Sequence, residues 1–134
     1  MKSLAYISRK GVIMIQFTIE LPPRTKKNSQ QIVICNGRPI IIPSKLYKQY
    51  EKDCAAFIPK VETIDYPVNV KAVYYMPTKR RVDLCNLHEA LCDILVHYNI
   101  VQDDNSNIIA TMDGSCVQHD KEKPRTEVFI ERIE

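Results

Sequence analysis

From Pro67 to Met76 the residues alternate. Val68, Val70, Ala72, Tyr74 and Met76 fall on one side, and Asn69, Lys71, Val73 and Tyr75 on the other. A period of two marks a strand, whose successive side chains leave by opposite faces. Val73 and Tyr75 make the far end apolar on both faces, so this strand is expected to run through the middle of a sheet. It delivers the chain into Pro77, then Lys79, Arg80 and Arg81, then Asp83. The period then changes to that of a helix. Leu87, Ala90, Leu91, Ile94 and Leu95 recur at i, i+3, i+4, i+7 and i+8 and form one apolar stripe. A helix laid on a sheet is the arrangement this pattern calls for, with Asp83 just beyond a strand end.

The helix has two possible starts. Asn86 can act as N-cap, with Glu89 three residues on reaching back to it, or Asp83 can fill that position. The pattern fades near Tyr98, and Asn99 can supply a left-handed stop. About 13 helical residues rise roughly 20 Å. The extended segment from Asn99 to Asp104 can return about 17 Å. If it doubles back along the helix, Asp104 approaches Asp83. Asp103 and Asp104 are adjacent, so in extended chain they point to opposite faces, one toward a site and the other away.

Carboxylates brought together repel and favour a cation, and oxygen-only ligands favour Mg²⁺, with Mn²⁺ as a substitute. Such an ion can activate water and stabilise charge growing on a phosphodiester. Lys79, Arg80 and Arg81 would neutralise neighbouring phosphates. The same residues also have ordinary structural uses: Asp83 as a cap, Asp103 and Asp104 as a polar turn, and the basic triplet as a solvated loop.

Elsewhere, Ile15, Phe17 and Ile19 mark a strand over Ile13 to Glu20, ended by Pro22 and Pro23. Residues Met1 to Val12 carry little pattern, and Met14 can be a second start that makes residues 1–13 an extension. Lys26, Lys27, Asn28 and Ser29 form a polar basic loop, either a phosphate contact or a solvated connection. Asn36-Gly37 between two apolar runs reads as a hairpin turn, Gln31 to Cys35 pairing with Pro39 to Ile42. Ser44 is expected to cap a second helix running to about Phe57. Its buried side is read as Leu46, Tyr50, Cys54, Phe57 and Ile58, with Tyr47 at the surface. Further strands are expected at Ile108 to Met112, Cys116 to His119 and Thr126 to Glu131.

A chain of 134 residues makes one domain, 1–134. With 3 glycines it holds no glycine-rich phosphate loop, which excludes P-loop and dinucleotide folds. The histidines have no nucleophile motif around them, so a hydrolase triad has no support. No apolar run nears 18 residues, so no membrane span is expected, and no small-residue cleavage site marks a signal peptide. Five cysteines without a CxxC pair fit a reduced, cytoplasmic chain. Cys85, His88 and Cys92 share a helix face at i, i+3 and i+7. A zinc site there would need a fourth ligand, against the simpler reading of small buried cysteines and a surface histidine.

The run R-R-V-D-L-C-N, then A-L-C-D-I-L, then V-Q-D-D-N-S-N-I resembles the RusA family of Holliday-junction resolvases, small phage-type endonucleases. T-K-K-N-S (Thr25 to Ser29) is similar to that family's N-terminal basic loop. D-K-E-K-P-R-T-E-V (Asp120 to Val128) is similar to the last-strand region of its Gram-positive phage members. The resemblance covers Ile15 to Ile133. It implies a Mg²⁺-dependent homodimer, bacterial or phage-encoded, that cuts four-way DNA junctions symmetrically. Asp83 matches the first catalytic acid, Asp104 the last, and Asp103 the acid beside it. The family's second acid is Cys85 here, and its usual lysine is Glu89. Thiolate is a soft, poor ligand for Mg²⁺. Asp113 is the first candidate to replace the missing acid, and Glu89 the second.

The reading is a single α+β domain, two main helices on a mixed sheet of about five strands. Its expected site holds metal through Asp83, Asp104, Asp103 and Asp113. DNA is held through Lys26, Lys27, Asn28, Lys79, Arg80 and Arg81. The rival reading, motivated by Cys85 and Glu89, is a branched-DNA-binding module of the same fold that does not cut.

Overall fold

The computed structural model describes residues 4–7, 13–26, 30–43 and 45–133. The elements in order are β1 (Leu4–Ile7), β2 (Ile13–Ile19), β3 (Gln30–Cys35), β4 (Arg38–Pro43), α1 (Lys45–Asp53), a 3₁₀ turn (Cys54–Ala56), β5 (Val68–Met76), α2 (Leu84–His97), β6 (Ile109–Thr111), β7 (Cys116–His119) and β8 (Arg125–Arg132). The main sheet runs β1-β2-β8-β5-β6. β7 lies further along the same edge of β5, so five positions hold six strands. β6 and β7 are parallel to β5, and the other pairs are antiparallel. The architecture is α+β, as the sequence patterns require, and β5 is central.

Register explains why β5 is central. Val70, Ala72 and Tyr74 stand opposite Ile130, Val128 and Thr126, which in turn stand opposite Ile15, Phe17 and Ile19. Directly opposed residues share a face, so these nine form three rows across one side of the sheet, and all nine are buried. The helices cover this side. The stripe Leu87, Ala90, Leu91, Ile94 and Leu95 is buried in the same core, together with Tyr47, Tyr50 and Cys54 from α1 and its 3₁₀ extension. The reverse side carries exposed Gln16 and Lys71, the Lys71 ammonium lying 5.2 Å from the Phe129 ring centre.

Several expectations change. Tyr47 is buried and Leu46 is exposed (2% against 61%), the reverse of the expected helix face. Tyr47, Tyr50 and Cys54 fall at i, i+3 and i+7, an equally regular stripe that the phenol hydroxyl disguised. That hydroxyl stays bonded at depth, donating to the Ala90 carbonyl at 3.5 Å. The expected cap Ser44 lies outside the described residues. β1 forms inside the segment read as patternless, pairing Leu4 with Gln16 through Ile7 with Ile13. Asp83, not Asn86, is the N-cap of α2. Asn99 ends α2 in the left-handed region as expected (φ 58°), and Asn36 and Gly37 turn the hairpin with φ of 51° and 77°. β3 and β4 pair only with each other, leaving Ile32, Ile34 and Ile41 largely exposed. No helix among the described residues is long and apolar enough to cross a membrane.

The helix-face correction is measurable by urea denaturation. Tyr47→Ala is expected to cost about 3–5 kcal/mol, as for other buried aromatics. Leu46→Ala is expected to stay within about 0.5 kcal/mol. Equal losses would contradict the assigned face.

Candidate active site and nucleic-acid interface

The loop after β5 and the loop after β2 meet. Together they line a cleft of about 700 Å³ that includes Pro22, Arg24, Thr25, Leu46, Met76, Arg80 and Arg81. Arg24, Arg80 and Arg81 are exposed, and none makes an ion pair with another described residue. Three unneutralised guanidiniums on one cleft make an anion site suited to bidentate contact with phosphate. Lys79 is also exposed on this loop. Arg24 was missed in the sequence because it precedes the Lys26-Lys27 pair and lies between prolines and a buried threonine.

Asp83 follows directly at the start of α2. Its backbone carbonyl accepts from the amides of Asn86 (3.1 Å) and Leu87 (3.2 Å). Its carboxylate caps no backbone amide and accepts from the Asn86 side-chain amide at 3.3 Å. An N-cap aspartate ordinarily spends its carboxylate on the helix; here that group faces outward beside the basic cleft.

Asp103 and Asp104 behave differently. Asp103 Oδ1 accepts from the Asp104 amide at 2.7 Å, and its Oδ2 accepts from the Asn105 side chain at 3.1 Å. These bonds hold the Asp103 carboxyl below the usual carboxylate range. Asp103 therefore braces its own loop. The Asp104 carboxyl is raised by partial desolvation, by the Asp103 side chain, and by the charges of Asp103 and Asp93. Its charged form is disfavoured as it stands, which is the condition a bound cation relieves.

The predicted return along α2 is made in part. The chain after Asn99 leads Asp104 to the Cys92-Asp93 turn of the helix, whose charges it shares. That turn is about 15 Å along the helix from Asp83. Asp113 does not join them. Its backbone bonds both ends of the Asn69 side-chain amide, at 2.8 and 3.2 Å. There it closes a bulge, because Val68 pairs with Ile109 while Asn69 pairs with Thr111. Asn69 lies five residues, about 17 Å, from Tyr74, and Tyr74 bonds His88 in the first half of α2. Asp113 thus stands at the opposite end of β5 from Asp83.

Among the described residues no three His, Cys, Asp or Glu side chains converge as a metal-holding group. Mg²⁺ needs only one or two protein carboxylates and takes its remaining ligands from water and phosphate. The outward carboxylate of Asp83 could supply one ligand to such an ion, while Asp104, about 15 Å along the helix, is not brought beside it. Zinc does not fit. Among the described residues Cys85, His88 and Cys92 do not converge as a metal-holding group, and Tyr74 OH takes up His88 Nδ1 at 2.8 Å. His88, expected at the surface, is half-buried.

Two expected DNA contacts, Lys27 and Asn28, lie outside the described residues. Lys26 is turned away: its ammonium pairs with Asp93. Asp93 was not singled out in the sequence. The available signal was its spacing, since Cys85, Glu89 and Asp93 recur every four residues on a polar stripe of α2.

Burial lowers the pKa of His88. The unfolded state therefore takes up a proton first, below about pH 6.5. Stability from this group is intact above that pH and is lost as pH falls toward the depressed folded value. Urea midpoints at about pH 7 and about pH 5.5 are expected to fall further for the native chain than for His88→Asn.

A family model described as Endodeoxyribonuclease RusA matches residues 20–131. No curated protein matches the chain significantly. The matched span takes in the basic cleft, Asp83, α2, Asp103, Asp104 and nearly all of β8, and the chain belongs to the RusA endodeoxyribonuclease family.

Proposed function

We propose that this protein is a Mg²⁺-dependent endonuclease that cuts four-way DNA junctions as a homodimer, acting in the cytoplasm in recombination and repair. The observation that carries this reading is the junction of two features: a cleft with three unpaired arginines and, one residue past its wall at Val82, the outward carboxylate of Asp83. The arginines hold phosphates and fix the backbone against the start of α2. Asp83 would hold the ion; Asp104, about 15 Å along α2, would share it only by moving in when a junction binds, and Asp103 keeps the Asp104 loop in shape. Mg²⁺, when bound, polarises the phosphodiester and lowers the pKa of water. Two cuts on a symmetric junction need two sites, which a two-fold dimer supplies. Five free cysteines fit a reducing compartment.

A second reading rests on Cys85. It is exposed on the first turn of α2, where the family resemblance calls for an acid. A module that binds branched DNA without cutting would keep the arginine cleft and dispense with turnover.

A labelled four-way junction and a linear duplex, each with Mg²⁺, Mn²⁺ or EDTA, separate the readings. Paired nicks on the junction alone are expected, lost with EDTA. Asp83→Asn and Asp104→Asn are expected to reduce the rate about a hundredfold or more, ~2.7 kcal/mol each. Arg24→Ala, Arg80→Ala and Arg81→Ala are each expected to lower the slope of log affinity against log salt by about 0.9. Tight junction binding with no cut in any metal would favour the binding module. Absence of binding would overturn both readings.

A further inference from the structure

The basic loop carries its charges in opposite directions. Arg24 lines the cleft, Thr25 is buried (6% exposed), and Lys26 reaches across to Asp93 on α2. Buried Thr25 acts as the pivot, since it sets residues 24 and 26 on different sides. The Lys26 ammonium and the Asp93 carboxylate are each about two-thirds covered, at 30% and 36% exposed. The ammonium also feels Glu89 on α2 and Glu51 on α1. One cation thus sits among three acids drawn from both helices. Asp93 in turn shares its field with Asp104.

We infer that Asp93 is a positioning residue: it holds Lys26 as an internal counter-charge on α2, which aims Arg24 into the cleft and leaves Lys26 making no contact with DNA phosphate. The inference rests on the endonuclease reading above and assigns a division of labour within its basic loop. A lysine held on a carboxylate neutralises no phosphate, so it releases none of the counterions condensed on DNA and adds nothing to the salt dependence of affinity. Without the pair, Asp93 would lose its counter-charge and the loop carrying Arg24 would lose its tether to α2.

The test uses the full chain, a labelled four-way junction and Mg²⁺. Binding isotherms across a salt series are measured with Ca²⁺ replacing Mg²⁺, and single-turnover cleavage at saturating junction. Arg24→Ala is expected to lower the salt slope by about 0.9, and Lys26→Met added to it is expected to lower the slope no further. Asp93→Ala is expected to slow cleavage about tenfold at saturating junction, a loss of ~1.4 kcal/mol in the bound complex, and to lower the salt slope as Arg24→Ala does. Lys26→Asp and Asp93→Lys are each expected to be slow. The double variant, which restores the pair in reverse, is expected to recover to within about threefold of the native rate. Circular dichroism melts identify any single variant that fails to fold, and the double variant then decides. A further fall of about 0.9 when Lys26→Met is added to Arg24→Ala would overturn the inference, because Lys26 would then be a phosphate contact. So would an unchanged rate in Asp93→Ala, or a folded double variant no faster than the singles. A native protein that binds the junction without cutting removes the cleavage reading and leaves the salt slopes to decide on Lys26. A native protein that neither binds nor cuts removes both.

Discussion

Burial of the α2 stripe against the β5 face that presents Val68, Val70, Ala72 and Tyr74 is the interaction on which the rest of the structure depends. A strand with apolar side chains on its inner face cannot remain exposed, and a helix with one apolar stripe has a single way to lie on it. Once the two are joined, the connecting segment is fixed at the end of the sheet. That segment holds Arg80, Arg81 and Asp83. β5 also sets the partners on either side: β8 and β2 extend the same three buried rows, and β6 and β7 share the remaining edge. The core therefore positions a basic loop and a helix start with little freedom for either.

Electrostatics then divides the surface over α2. The Asp83 end meets arginines that make no ion pair among the described residues. The Asp93 turn meets Lys26, which is already paired. Asp104 lies by the second group and has its charge disfavoured by Asp103 and Asp93. Asp83 with its arginines thus marks one end of the helix surface and the Lys26-Asp93 pair the other, with Asp103 bracing the loop between α2 and β6. Cys85 stands between them on the first helical turn, exposed and without a carboxylate to offer.

Much of this was legible in the sequence because it depends on periodicity. The alternation in β2, β5 and β8 and the stripe of α2 each place one face, and packing left them unchanged. Asn36-Gly37 and Asn99 were legible because few residues accept positive φ. Tyr47 was not, because a phenol reads equally well as surface or core until its hydroxyl finds a carbonyl such as that of Ala90. β1 was hidden because an edge strand's place is set by its neighbour β2 more than by its own pattern. The candidate acids were legible one at a time and not as a set. Asp113 adjoins a strand predicted correctly, yet a bulge at Asn69 commits it to the far end of β5. Asp93 went unnoticed because its role comes from Lys26, 67 residues away in the chain.

The central proposal is that, once a junction is bound, the start of α2 and the Asp103-Asp104 loop serve one metal ion. Paramagnetic broadening of backbone amide signals by substoichiometric Mn²⁺, in the presence of an uncleaved junction, tests it most directly. The account predicts that signals of Asp83 to Glu89 and of Gln102 to Asn105 broaden together at the same Mn²⁺ level, while those around Asp113 stay sharp. Broadening confined to one of the two segments, or centred on Asp113, would contradict it.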